Sequence, residues 1–183
     1  MSSSLVRLLK VDVYDHFYTI VQMNHSKVKQ DIKLAKDEAV ALHAYTKCYP
    51  PFYIEINTAL RNGEYNNFLI KLIDSALSKL PDYHVSIVYR WTVPTLDEQL
   101  SLENDEILTE LAYLSTLKLP NELDMVESDC LLVKINHING KDIALYSDDY
   151  SADIQEVLIP RGATFKKHKE PDVKYDLYMI QIS

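Results

Sequence analysis

The chain is poor in cysteine, has no surplus of positive charge and contains no long apolar run, and each shortage removes a class of protein. Two cysteines in 183 residues, Cys48 and Cys130, are too few and too unpatterned for a disulfide framework or a metal site, and they read as buried thiols. Nothing here requires an oxidising compartment. Lys and Arg total 19 against 27 Asp and Glu, a formal net charge of −8 with a pI near 5.2. Coating a nucleic-acid backbone needs clustered cations that displace counterions, so this balance argues against nucleic acid as a partner, although local basic spots remain open. No segment approaches the roughly 18 apolar residues of a membrane span. The start, Met1-Ser2-Ser3-Ser4-Leu5-Val6-Arg7, lacks the basic stretch and apolar run of a secretory signal, so the chain reads as made and folded in a cytosol. Internal repeats and low-complexity segments are absent. The histidines His16, His25, His43, His84, His137 and His168 lack metal spacing, and no role falls to them. The 13 tyrosines read as packing surface, because no basic residues interleave with them.

What is present is ordinary globular material, 47% hydrophobic and 25% charged, enough for one soluble domain over 1–183 with a core of useful size. Residues 5–23 fit a helix or a strand. From about Lys27 to Lys47 the positions Val28, Ile32, Leu34, Ala35, Ala39, Leu42 and Tyr45 recur at three- and four-residue spacing, which predicts a helix that Tyr49-Pro50-Pro51 stops. A second helix is expected from Phe52 to Leu60, ended by Asn62-Gly63, and a third from about Tyr65 to Lys79. Then the period changes to two. His84 to Thr92 places Val85, Ile87 and Tyr89 on one face and Ser86, Val88 and Arg90 on the other, a strand. Pro94 to Glu110 reads as an acidic loop with a helical turn, Leu111 to Leu117 as a strand, 119–127 as a short helix or loop, and Cys130 to Ile138 as a strong strand before a hairpin-type turn at Asn139-Gly140. Ile143 to Tyr146, Val157 to Ile159, Thr164 to Lys167 and Tyr175 to Ile182 complete the strands. Helices first and strands afterwards predict an α+β domain.

Within that frame one stretch concentrates the chemistry. The loop Tyr146 to Gln155 leads into Glu156-Val157-Leu158-Ile159-Pro160-Arg161-Gly162, which reads as strand and turn, and sets a carboxylate at a strand end beside a polar loop. Taken alone, such a carboxylate is a solvated strand end. Four further stretches precede it in order: Ala44-Tyr45-Thr46, Ile56-Asn57-Thr58-Ala59-Leu60-Arg61, Val88-Tyr89-Arg90 and Tyr113-Leu114-Ser115-Thr116. Together these five closely resemble the mono-ADP-ribosyltransferase family in its Arg-Ser-Glu branch, which includes bacterial toxins, phage-encoded transferases and vertebrate ecto-enzymes. The resemblance covers roughly residues 35–183 and leaves about 1–30 as a variable N-terminal segment.

The resemblance implies a mixed, mostly antiparallel split β-sheet behind the N-terminal helices, NAD as co-substrate, and transfer of ADP-ribose to a macromolecular acceptor, in the first place a protein. It implies roles for particular residues. Breaking the nicotinamide–ribose bond develops an oxocarbenium-like cation, which the Glu156 carboxylate would stabilise mainly in the transition state. Arg90 would grip the diphosphate with a bidentate fork that Lys cannot copy, and Arg61 would add a second phosphate contact. Ser115 would hold Glu156, Thr116 would continue the motif as scaffold, and the backbone at Trp91 would meet the nicotinamide. Tyr45, Tyr53 and Asn57 remain architectural, the tyrosines as core packing. Acceptor recognition falls to Tyr150, Ile154 and Gln155. Here the chain departs from the pattern, since Ile154 stands where the family has Glu or Gln, with Gln155 and Asp153 one residue away. Trp91 replaces the usual Gly, and Leu117 the third residue of a Ser-Thr-Ser motif. An NAD glycohydrolase and a silent partner-binding relative are the alternatives. A monomer with no metal and no membrane association is expected, delivered into a host cell as a phage enzyme or injected effector.

Overall fold

The computed structural model describes residues 4–93, 104, 107–120, 130–147, 155–168 and 176–183. The chain forms two compact units, one from residues 1–81 and 142–151, the other from 82–141 and 152–183.

The first unit is helical. α1 (Ser4–Leu9) and α2 (Val11–Val28) settle residues 5–23 as helix, and α2 buries Tyr14, Phe17 and Val21 at spacings of three and four. The helix expected from Lys27 starts later, because Lys29 takes the left-handed conformation and its N–H caps the His25 and Ser26 carbonyls. α3 (Lys36–Thr46) then begins where Glu38 Oε2 accepts from the Ala35 N–H at 3.0 Å. α3 is buried from Glu38 to Tyr45. α4 (Phe52–Arg61) runs as expected to Asn62-Gly63, with Gly63 at φ 77°. α5 (Phe68–Lys79) starts three residues after Tyr65, because the Asn67 side chain accepts from the Leu69 N–H at 2.8 Å.

Glu38 ties α3 to α5. One oxygen takes Ser75 Oγ at 2.6 Å and the Lys79 ammonium, the other the Ala35 N–H. Burial pushes this carboxyl up, but the hydrogen bonds from Lys79, Ser75 and Ala35 outweigh it and the pKa ends lowered.

Three expectations fail in this unit. Ile143 to Tyr146 is not a strand: Ala144–Tyr146 is a 3₁₀ turn, started by Asp142 Oδ1 accepting from the Ala144 N–H at 3.2 Å. His43 Nδ1 meets the Tyr146 carbonyl at 3.0 Å, so the apolar run is buried by helices, a setting that short runs share with strands. Tyr45 is core, its hydroxyl accepting from Asn57 Nδ2 at 3.2 Å, but Tyr53 is exposed on α4. Cys48 is also exposed, and Cys130 of the second unit is half-buried, so neither is a core thiol.

The sheet has eight strands: β1 (Ile87–Thr92), β2 (Leu108–Glu110), β3 (Leu114–Leu117), β4 (Leu131–Asn136), β5 (Lys141–Asp142), β6 (Glu156–Ile159), β7 (Ala163–Lys167) and β8 (Leu177–Gln181), in the order β2-β7-β8-β4-β1-β3-β6-β5. β4 and β8 are parallel and join β2-β7-β8 to the remaining strands; the pairs β1–β3, β1–β4, β2–β7, β3–β6 and β7–β8 are antiparallel. This is the expected mixed, mostly antiparallel α+β arrangement. Val88, Val133, Ile135, Val157, Ile159, Phe165 and Met179 form its core.

Local signals misplace three joints. Residues 108–110, assigned to a loop, are β2, and the strand expected from Leu111 starts at Leu114, because Glu110 Oε1 accepts from the Ala112 N–H at 2.8 Å and breaks the run. β6 and β7 flank the Arg161-Gly162 turn as expected, with Gly162 at φ 80°, although they do not pair with each other. Asn139-Gly140 makes no hairpin either, since β5 pairs beside β6 and not with β4. Gly140 is needed for space: a Cβ there would lie 2.8 Å from Val157 Cγ1 and 3.0 Å from His137 Nδ1. His137 Nδ1 accepts the Gly140 N–H at 3.1 Å, so Nε2 carries the proton and donates to the Val85 carbonyl at 2.8 Å; burial lowers the pKa of this ring.

The tyrosines also differ from expectation. Ammonium groups do interleave with them in space: Lys36 lies 4.8 Å from the Tyr14 ring centre, Lys118 5.1 Å from Tyr83 and Lys134 4.6 Å from Tyr178. Sequence separation hides these pairs.

Candidate active site

The second unit brings three of the sequence-selected residues together. β3 and β6 are paired with Leu117 opposite Glu156, Thr116 opposite Val157 and Ser115 opposite Leu158. Side chains of a strand alternate in direction, so Ser115 and Glu156 share a face as diagonal neighbours, within reach of a long side chain. The contact is made: Ser115 Oγ donates to Glu156 Oε1 at 2.6 Å. Thr116, on the other face, is buried and donates to the Val157 carbonyl at 2.6 Å. One residue further, the Lys118 N–H donates to the Gln155 carbonyl at 2.9 Å, so the strand pairing continues past Glu156 toward the loop. Glu156 is thus the first residue of a strand lying between β3 and β5.

Arg90 approaches from β1. Six consecutive pairs with β4, from Ile87–Asn136 to Thr92–Leu131, hold this strand in register, with Arg90 opposite Val133. Arg90 does lie on the face opposite Ile87, but the buried members of the strand pair, Val88 and Val133, are on its own face. The guanidinium therefore rises from an apolar surface. β1 pairs with β3 through Tyr89 and Leu117, which puts Tyr89, Leu117 and Glu156 on one face and roots Arg90 on the other. Ser115 is the link. Its carbonyl, in the plane between the faces, accepts from Arg90 Nη1 at 2.7 Å, while its hydroxyl holds the carboxylate. Trp91 follows Arg90, half-buried and opposite Leu132.

Arg61 is the exposed last residue of α4, in the helical unit. Gln155 is half-buried just before β6. Tyr150 and Ile154 lie outside the described residues. Two neighbours of the carboxylate were not among the selected site residues: Leu117, directly opposite Glu156, which the motif marked only as a departure, and Leu158, next on the same face of β6 and fully buried. Only strand register shows that they flank the carboxylate.

Chemically, the arrangement offers a carboxylate held by a neutral hydroxyl among apolar neighbours, and a planar five-donor cation with one donor set on the same residue. In low-dielectric surroundings a fixed carboxylate acts strongly on a developing positive charge. The cation suits phosphate oxygens. Among the described residues no cluster of His, Cys, Asp or Glu could hold a metal ion, and no helix is long and apolar enough to cross a membrane.

A family model described as ADP-ribosyltransferase exoenzyme matches residues 22–177. No curated protein is similar enough in sequence to match the chain. Among solved structures, the ADP-ribosyltransferase HopU1 of Pseudomonas syringae pv. tomato DC3000 superimposes with a TM-score of 0.69 at 18% identity, over 93% of this chain and 88% of that one. The type III effector XopAI from Xanthomonas axonopodis pv. citri gives 0.67 at 22% identity, over 98% and 80%. The C3 exoenzyme of Clostridium limosum gives 0.62 at 19%, over 93% and 95%. At these identities the likeness is one of fold.

Proposed function

Since the chain belongs to the ADP-ribosyltransferase exoenzyme family, and so transfers ADP-ribose from NAD to an acceptor with release of nicotinamide, we propose that Glu156, Ser115 and Arg90 carry that reaction. The observation behind this is the chain of contacts from the Arg90 guanidinium through Ser115 to the Glu156 carboxylate. Glu156 answers the positive charge that grows on the ribose as nicotinamide leaves. A carboxylate already oriented by Ser115 needs no reorganisation at that moment, which is where preorganised electrostatics gain their effect. Ser115 is a positioning residue. Arg90 grips the diphosphate, with Trp91 beside it toward the nicotinamide and Thr116 holding the strand. Gln155, Ile154 and Tyr150 meet the acceptor.

The acceptor in this reading is a protein of a host cell into which the chain is delivered. Support comes from XopAI, described as a type III effector, among the proteins of like fold. The direct test is incubation with labelled NAD and lysates of several candidate hosts. A labelled protein band together with nicotinamide release is expected. Folded protein that yields neither in any lysate refutes the reading.

A further inference from the structure

Opposite Glu156, where the sequence pattern leads one to look for a third hydroxyl, the sheet sets a hydrocarbon. Leu117 is its direct cross-strand partner, and Tyr89 is in turn the partner of Leu117, so the row Tyr89, Leu117, Glu156 crosses β1, β3 and β6 on one face. Directly opposed residues bring their Cβ atoms to about 5 Å. Leu158, two residues along β6 on that face, is fully buried. Of the side chains that register places around the carboxylate on this face of β3 and β6, Ser115 alone is polar, and it donates its proton to Oε1. A water needs two or more polar partners to be held at a site. Directly opposite the carboxylate, at Leu117, β3 supplies hydrocarbon instead.

From this we infer that Leu117 is a specificity-determining residue, which keeps water from the reacting centre beside Glu156 and so directs the reaction to the macromolecular acceptor and away from hydrolysis. The inference rests on the transferase reading of the Glu156 site. The chemistry is a partition. The bond between nicotinamide and the anomeric carbon breaks, and neutral nicotinamide leaves with the electron pair. The anomeric carbon then takes a lone pair either from the acceptor nucleophile or from a water oxygen, and the nucleophile's proton passes to solvent. Both branches share the first step and the stabilisation from Glu156. They differ in whether water can stand close enough to compete. A hydroxyl at position 117, one strand from the carboxylate, would give such a water a second partner.

The test uses the full chain with NAD and a lysate in which the wild type labels a band. Free ADP-ribose and protein-bound ADP-ribose are measured together, and total nicotinamide release gives the sum. Leu117→Ser and Leu117→Thr are compared with Leu117→Met, which keeps the flank apolar; Thr also favours a strand and guards against a Ser variant that fails to fold. We expect the ratio of free to bound ADP-ribose to rise about tenfold in the hydroxyl variants, the discrimination a single side-chain contact commonly supplies. Leu117→Met should keep the wild-type ratio. An unchanged ratio in a folded hydroxyl variant overturns the inference, and so does an equal rise in Leu117→Met, which would mark a packing effect. A wild type that releases no nicotinamide at all refutes the transferase reading instead, a different result from either.

Discussion

Two glutamates, one in each unit, show how differently the same side chain can be held. Glu38 of the helical unit is buried, and three donors close on it, one of them the Lys79 ammonium, so its charge is answered within the fold. Glu156 of the sheet unit is half-buried, and the group on its Oε1 is a neutral hydroxyl. An ammonium offsets the charge of the carboxylate it holds, whereas a neutral hydroxyl orients a carboxylate without offsetting its charge. The first arrangement serves stability; the second is the one that the proposed reaction would use.

Removing each carboxylate should separate the two uses. Glu38→Ala leaves Lys79 and Ser75 without their partner and opens space between α3 and α5. A loss of roughly 3 kcal/mol is expected, the lower end for a broken buried pair because Lys79 is half exposed; urea unfolding measures it. A variant as stable as wild type would remove Glu38 from the comparison. The pH dependence has a definite sign. The folded pKa of Glu38 lies below its unfolded value, so its contribution is present above the ordinary glutamate range near 4.3 and fades as pH falls through the folded pKa. Glu38→Gln should lack that acid-side loss, which urea titrations from neutral pH downward would reveal.

Glu156→Gln should do the reverse, keeping the fold and the NAD affinity while nicotinamide release falls on the order of 10²-fold or more, the scale of deleting one preorganised electrostatic group. Retained activity would strip Glu156 of its role. Arg90→Lys keeps the charge and loses the planar fork. Loss of a charge-assisted hydrogen bond is worth roughly 1.5 to 3 kcal/mol, so calorimetric titration should show NAD binding weakened about ten- to a hundredfold. The same change at Arg61, exposed at the end of α4, should weaken it less. If Arg61→Lys abolishes binding and Arg90→Lys does not, the diphosphate contact has been given to the wrong arginine. The smallest effect is expected at Gly140, which lies behind the Glu156 strand. Gly140→Ala presses on Val157 and the His137 ring, whose adjustment should limit the cost to roughly 1 to 2 kcal/mol. Thermal unfolding would detect it, and a neutral result would show that β6 shifts freely.

The helices were legible because their signal is local. Asn62-Gly63 ends α4 where expected, and the spacing of Leu69, Ile73, Ala76 and Leu77 marks α5 in any context. Their starts were less so: the Lys29 backbone turns left-handed and the Asn67 side chain caps α5, and each acts over only two to four residues. Among the strands, Val88 and Arg90 alternated correctly with Ile87 and Tyr89. Which face was buried depended on Val133 and Ile135 of β4, more than forty residues away. Asn139-Gly140 carried the letters of a hairpin, but its glycine answers crowding by Val157, which no local rule can see.

By itself the sequence determined the α+β class, helices first and strands afterwards, and the residues Arg90, Ser115 and Glu156 as the group to watch. Propensity, periodicity and motif order are properties of the linear chain. Tertiary structure alone decided that Ser115 serves both partners, its carbonyl to Arg90 and its hydroxyl to Glu156, and that Leu117 faces the carboxylate. The reason is register. A slip of one residue between β3 and β6 would turn Ser115 to the opposite face from Glu156, and strand register is set by the packing of both faces at once.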